Sequence, residues 1–573
     1  MDIRVLVASA AIVCVSAPVQ AASVVEWRAT LDTMVREIRT THPAPFAKVG
    51  EVTFLRNAET LEADLPRLSE EQRMVRAMRL VASIGDGHTQ LNPVGPEFAL
   101  WYPVRLFQFT DGYFITSAHQ SVRELVGAQV LEIAGRPVAE VAEAARDLRG
   151  ADNAFDRMQR IEALHCAPLM RGLGYADEVR RLHLRLRLRH GRVVERVLTP
   201  SPTNNSRFSA DEPAFSWDAL TEVYTPPMAP YEEMISAYRG LPASAYRDVD
   251  LTRPPHFMYR RLQVARAIPE HDAFYMQFNA VAPEEMLPFL RQQMAAIETQ
   301  RPRRLIIDLR YNPGGDGSRN IEVVHQFVER LPKPPWRELY LILGRRTFSA
   351  AVNLADALID NVPLTVVGEP PGAALNHLGD AAEHDYQHPR LALFVSTRRH
   401  QMSESDDLRS IMAVDMPAQM SSADYVAGRD SAVDPILNGA EMRSIPQIAL
   451  SDGGTTARRA WDDRRVRFAS LSWWSPPTEL AMRAVCGVLR EQNRLQDSLE
   501  TCRLTTEMQP YVWNSWYNLS LVQHAMGQTR ERAASLKCVL ALDANNFNLN
   551  EIRQALAESG DVPLPSGCPV EAR

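Results

Sequence analysis

Leu305-Ile306-Ile307-Asp308-Leu309-Arg310-Tyr311-Asn312-Pro313-Gly314-Gly315 is the stretch on which the fold turns. Leu305 to Leu309 is apolar almost without a break. Unbroken rather than alternating apolarity marks a strand covered on both faces, the kind found in parallel sheets. The strand runs into Asn-Pro-Gly-Gly. Paired glycines let backbone N–H groups approach a ligand with no Cβ in the way, which is what a developing oxyanion needs. The same tetrapeptide also makes an ordinary turn.

Working outward, strands are expected at Ala273–Phe278, Glu338–Leu343, Leu364–Val367 and Leu391–Val395, and helices at Glu284–Thr299 and Ser349–Asn361. The alternation from Val264 to Ala440 predicts α/β layers. Inside it, Arg346-Thr347-Phe348-Ser349-Ala350-Ala351 stops a strand and opens a helix at a serine. The helix dipole and its free N–H groups favour an anion forming there. The plainer explanation of Ser349 is an N-cap. A third segment, Gly85-Asp86-Gly87-His88-Thr89, sets an imidazole on a glycine turn. A histidine near neutral pKa can take a serine's proton, although a lone histidine on such a turn is more often structural.

The rest of the chain divides by pattern. Residues 1–21 read as a secretory signal: one Arg, the apolar run Val5–Val15, Pro18, and small residues up to Ala21. A single membrane anchor is the alternative. Residues 22–96 have helical periodicity, with Val25, Leu31, Met34 and Ile38 on one stripe and Leu61, Leu65 and Leu68 on another; His42-Pro43-Ala44-Pro45-Phe46 breaks between them. Residues 97–200 change to short strands, and Gly127 to Val138 is similar to the core of a PDZ module, a peptide binder that adds a strand to a sheet edge. An occluded groove is the equal alternative. Residues 201–262 read as a linker or substrate-covering insert. Residues 475–560 are all helix, with Gln509-Pro510 and Asp543-Ala544 in equivalent places, which resembles two tetratricopeptide (TPR) helix pairs. Trp516, Leu519, Gly527 and Leu536 occupy repeat positions, and Asn493 stands where the first unit would have glycine.

Composition narrows the classes. The chain has 573 residues, 63 Lys+Arg against 70 Asp+Glu, and a net charge of −7. No basic field is available for a nucleic-acid backbone, and no apolar run of spanning length follows the signal. Of six cysteines, Cys14 leaves with the signal. Cys166, Cys486, Cys502, Cys538 and Cys568 form an odd set without metal spacing, and a Cys486–Cys502 bridge is compatible with an oxidising compartment.

Together the three chemical segments resemble the S41 peptidases: the carboxyl-terminal processing proteases, the tricorn core protease and the retinoid-binding interphotoreceptor modules. Val367-Gly368-Glu369-Pro370, Asn376-His377-Leu378-Gly379-Asp380, Asp424 to Asp430 and the His42–Phe46 turn continue the likeness in order over roughly residues 25 to 440. The resemblance implies a ClpP/crotonase-like α/β catalytic core over 263–445. It implies Ser349 as nucleophile, with N–H groups of Gly314 or Gly315 and of Ala350 as oxyanion donors. The Lys of the Ser–Lys members falls at Ala374, so the tricorn-type Ser–His pair is expected, with His88 as base and His377 as runner-up. The tricorn site has a serine directly before its histidine; here it is Gly87. Asp406 or Asp407 is the candidate acidic orienter, and Asn376 and His377 would line the site. The implied protein is an exported, periplasmic or secreted peptidase. It would act on peptides or proteins, need no cofactor or metal, and offer a protein-contact region in its C-terminal helices. A catalytically silent binding module or scaffold is the competing reading, since this fold also serves binding proteins.

Overall fold

The computed structural model describes residues 22–95, 98, 100–202, 223–224, 263–403, 409–427, 429–439, 441–475, 477, 479–546, 548–560 and 562–569. The signal segment, nearly all of the 201–262 insert, and Asp406 and Asp407 lie outside them.

The central sheet has six strands in the order Gln263–Ile268, Ala273–Phe278, Arg304–Asp308, Glu338–Leu343, Thr365–Gly368, Met416–Pro417. The first pair is antiparallel and all later pairs are parallel. Alternate side chains serve two separate cores. Phe274, Met276, Leu305, Ile307, Leu341 and Leu343 pack under the helices Pro283–Gln300, Asn320–Val328 and Ala350–Asn361. Tyr275, Ile306, Tyr340 and Ile342 pack against Val433, Ile436 and Phe468. Burial on both faces is why these strands read as unbroken apolar runs. Leu391–Val395 was expected among them. The strand exists, as Arg390–Val395, but it lies between Gln90–Pro93 and Ala382–Gln387 in a separate antiparallel sheet.

That small sheet links the halves of the molecule. Its Leu391, Leu393 and Val395 join one apolar core with the N-terminal helices Val24–Thr41, Glu51–Asp64 and Glu70–Ala82 and with the β-module beyond them. In the first helix the buried stripe is Trp27, Leu31, Met34 and Ile38, while Val25 is 73% exposed. Val25 falls in the first turn, off that stripe, and Trp27 takes the inward place. The module pairs Val104–Phe109 with Gly112–His119, then Gln129–Ile133, Leu182–Arg187 and Val193–Leu198, all antiparallel.

The C-terminal region is a run of helices: Ile445–Asp452, Gly454–Arg467, Glu479–Glu491, Leu495–Met508, Trp513–Ala525, Thr529–Leu542 and Leu549–Ser559. Asn493 (φ 59°) and Gly527 (φ 71°) both turn left-handed between helices. Disulfides join Cys486 to Cys502 and Cys538 to Cys568, and Cys166 is a buried free thiol. Among the described residues no helix is long and apolar enough to cross a membrane.

Candidate active site

The Ser349 turn follows the strand Glu338–Leu343 and is stitched to the glycine turn that follows Arg304–Asp308. Thr347 donates its hydroxyl to the Leu309 carbonyl at 2.8 Å and accepts the Gly344 N–H at 3.1 Å. The Phe348 N–H donates to the Asn312 carbonyl at 3.0 Å. The two strand ends therefore behave as one unit. Behind them the buried Arg310 bridges Asp308 (2.6 Å) and Asp430 (2.7 Å), and Tyr275 donates to Asp308 at 2.7 Å.

Ser349 itself sits at φ 52°, ψ −130°. A side chain with a Cβ is strained there, at a cost of about 1–3 kcal/mol. An N-cap serine has extended φ/ψ and accepts an amide of the first turn. Ser349 has neither: its φ is positive and it makes no capping hydrogen bond. The residue stands at the start of Ala350–Asn361 without serving as its cap. Gly314 closes against it. A Cβ on Gly314 would lie 2.8 Å from Ser349 Cβ and from the Phe348 carbonyl oxygen.

The glycine N–H groups differ in what they have left to give. Gly314 N–H is taken by Asn312 Oδ1 at 2.9 Å. Gly315 bridges Val281, but the bonds of that bridge run from Val281 N–H to Gly314 O (2.8 Å) and from Asp316 N–H to Val281 O (2.9 Å). The Gly315 N–H is left out of the bridge. The Ala350 N–H opens a helix and so has no intrahelical acceptor.

His88 comes from the other half of the molecule, on the turn after Glu70–Ala82. Its N–H and that of Thr89 donate to Asp86 Oδ1 at 2.8 and 2.7 Å. The Gly87 N–H donates to Asp152 Oδ1 at 2.7 Å, and the Gly87 carbonyl accepts from Arg160 Nη2 at 3.2 Å. The imidazole stacks on Phe348 at 4.5 Å and lies nearly parallel to His377 at 5.9 Å; His377 stacks on His400 at 5.1 Å. Gly379 makes room for this array, since its Cβ would be 3.1 Å from His400 Cδ2. No hydrogen bond joins Ser349 to His88 among the described residues; Phe348, next to Ser349 in the chain, is the link between them.

Burial, then the neighbouring His377, holds His88 down at about 4 against the opposing pull of Asp86. Its Nδ1 is buried and has no hydrogen-bond partner among the described residues. His377 is held at about 4 as well, by burial and His400. The Nδ1 of His377 faces the Ala374 carbonyl at 3.0 Å, so it carries the proton and leaves Nε2 as a buried acceptor with no partner among the described residues. The residue standing where a lysine was considered thus fixes a histidine tautomer. Burial and the adjacent Asp156 push Asp152 up to about 7.

Gly87 is forced by packing. A Cβ there would lie 2.7 Å from Phe348 Cζ and 2.8 Å from Asp156 Oδ2, so a serine before His88 has no room. Asn376, expected to line the site, uses Oδ1 to hold the Met402 and Ser403 N–H groups at 3.0 and 3.1 Å. The residues that sequence reasoning missed as site members are His42, Asp86, Phe348, Asp152, Arg160 and His400. Among the described residues no three His, Cys, Asp or Glu side chains are placed to hold a metal. The imidazoles stack instead of converging.

No protein-family model and no curated protein sequence matches the chain. Solved structures resemble it in layout. Mature CPAF complexed with lactacystin is 11% identical over 72% of this chain and 99% of that one, with a TM-score of 0.48. The photosystem II D1 C-terminal processing protease is 11% identical over 73% and 98%, at 0.33. The tricorn protease is 11% identical over 72% of this chain and 36% of its own, at 0.32. At these identities and scores the likeness is one of chain layout, and what the site does has to be read from its own atoms.

Proposed function

We propose that the chain is an exported serine peptidase of the S41 type, with Ser349 as nucleophile and His88 as general base. The observation that carries this is the Ser349 turn. A serine held at positive φ, spared from capping, is locked by hydrogen bonds to a glycine turn whose Gly315 N–H has no acceptor among the described residues. Strain of this kind persists where the surroundings over-determine it, and it gathers at functional sites. His88 Nε2 takes the Ser349 proton as Oγ attacks a peptide carbonyl. The Gly315 and Ala350 N–H groups receive the oxyanion, and the imidazolium returns the proton to the leaving amine. Water, activated by His88, then releases the acyl group. Burial keeps His88 neutral and so able to accept. The pair must close to hydrogen-bond distance when substrate binds, as catalytic hydrogen bonds in unliganded sites often do.

The β-module fits a PDZ-like fold with its Val104–Phe109 edge already in use. Leu106 N–H donates to His165 Nε2 (3.0 Å), Thr110 N–H to Met420 O (3.3 Å), and Gln108 O accepts from Arg345 (3.1 Å). Peptide addition at that edge is therefore closed. The two disulfides support passage into an oxidising compartment. The C-terminal helices suit a TPR-like contact region.

The test is hydrolysis of an unbiased peptide mixture read by mass spectrometry. The mature protein should cleave, and Ser349→Ala should not. The absence of a Ser349–His88 hydrogen bond favours one competing reading, a silent binding module of the same fold. A folded protein that cleaves nothing, and binds peptides equally with or without Ser349, would establish it.

A further inference from the structure

His42 sits at the end of the first helix, 44 positions before Asp86, at the head of the proline-rich His42–Phe46 turn. The two side chains meet with Nε2 to Oδ2 at 2.9 Å, and both are buried, at 5% and 4% exposure. The proton's place follows from the other nitrogen. His42 Nδ1 accepts the Ala44 N–H at 3.0 Å, so Nε2 carries hydrogen and donates to Asp86. Asp86 Oδ1 accepts three more: His88 N–H, Thr89 N–H and the Ser396 hydroxyl at 2.9 Å. Ser396 N–H in turn donates to Thr89 Oγ1 at 3.1 Å. One carboxylate thus ties together the His42 turn, the His88 turn and the end of the strand Arg390–Val395.

We propose that Asp86, oriented by His42, is the positioning group for His88, fixing where the imidazole is presented to Ser349 without touching the ring. The catalytic meaning of this rests on the peptidase reading above. Four donors converge on Asp86, and only a carboxylate can accept them all. An asparagine would turn an NH₂ toward the His42 Nε2–H, and switching the His42 tautomer would only move the clash to the Ala44 N–H. The charge has a second use: it favours the imidazolium that forms when His88 takes a proton, while His377, Arg160 and His400 oppose it. The hydrogen bonds also hold Asp86 ionised: burial pushes its carboxyl up, and the His42 and Thr89 bonds outweigh burial and bring it to about 2.

Two amides separate the roles of the His42 nitrogens. His42→Gln places an NH₂ near the Nε2 position and keeps the donor to Asp86. His42→Asn places its amide near Nδ1, keeps the Ala44 contact and loses Asp86. In the mature full-length protein, His42→Gln should keep kcat within about threefold. His42→Asn and Asp86→Asn should lower kcat by roughly 10²-fold with KM little changed, the scale of a misplaced catalytic group. Histidine Cε1–H NMR, with the His88 signal assigned through His88→Gln, reads the same device without catalysis. The His88 signal should shift in His42→Asn and not in His42→Gln, and its titration should move lower in Asp86→Asn. Unchanged kcat and an unchanged His88 signal in folded His42→Asn would overturn the proposal. Equal damage from His42→Gln and His42→Asn would also overturn it. If the wild type cleaves nothing, the peptidase reading fails, and the NMR arm still decides whether Asp86 positions His88.

Discussion

Ser349 and His88 are held by opposite means. Ser349 is fixed by backbone: a positive φ, a glycine packed against its Cβ, and main-chain bonds between two strand ends adjacent in one sheet. His88 is fixed by buried polar side chains drawn from distant segments, with Asp86, His42, Asp152 and Ser396 converging on one short turn. The bonds of the first arrangement are made by main-chain and hydroxyl groups, none of which titrates near neutral pH. The second depends on protonation states, and its burial keeps His88 neutral. The proposed nucleophile, set by the backbone, and the proposed base, set by a titrating network, should therefore fail under different insults.

The largest effect should come from the ion cluster behind the Ser349 side. Arg310 pairs with both Asp308 and Asp430, so Arg310→Gln leaves two buried carboxylates uncompensated, at about 3–5 kcal/mol. A thermal melt should show a loss on that scale; a change under about 1 kcal/mol would mean the backbone unit stands without its charged support. Next comes Gly315→Ala. Its Cβ would lie 2.2 Å from the Val281 carbonyl oxygen at φ 138°, and the expected cost is about 3 kcal/mol with loss of hydrolysis. Ser349→Gly should run the other way. Relief of strain at φ 52°, less the entropy cost of glycine, should raise stability by about 1 kcal/mol while abolishing hydrolysis.

The smallest effects should sort by pH on the His88 side. His88 is depressed to about 4 from an unfolded value near 6.5, so between these the unfolded chain binds more protons. Its contribution to stability is present above about 6.5 and is lost as pH falls toward 4. Hydrolysis should persist to that same low acid limb. Asp152 is raised to about 7, so the folded state binds more protons from about 3.8 up to 7, and its burial costs stability as pH rises through that window. Asp152→Asn keeps an acceptor for Gly87 N–H and removes the titration. Its melting temperature relative to wild type should rise with pH across 4 to 8. A difference flat with pH would mean that Asp152 is not the titrating group.

The backbone-held half was the legible half. Leu305–Gly315 and Arg346–Ala351 carry their structure in neighbouring residues: a doubly buried strand, a glycine turn, a helix opening. The strand at Arg390–Val395 was legible as a strand and not in its pairing, because an apolar run does not name a partner. The His88 network was not legible. Nothing in the linear sequence relates His42 to Asp86 or Asp86 to Ser396, and nothing marks Phe348 as a neighbour of the imidazole until the fold lays it there. Gly87 looked like a departure from pattern, and only the packing of Phe348 and Asp156 explains it.

Whether Ser349 is an activated nucleophile decides between an enzyme and a silent module. A fluorophosphonate probe added to the mature protein, with the adduct located by peptide mass spectrometry, tests this without knowledge of the substrate. One adduct on Ser349, slowed strongly by His88→Ala and absent in Ser349→Ala, is the expected result. A folded protein left unmodified at Ser349, or labelled equally fast without His88, would contradict it.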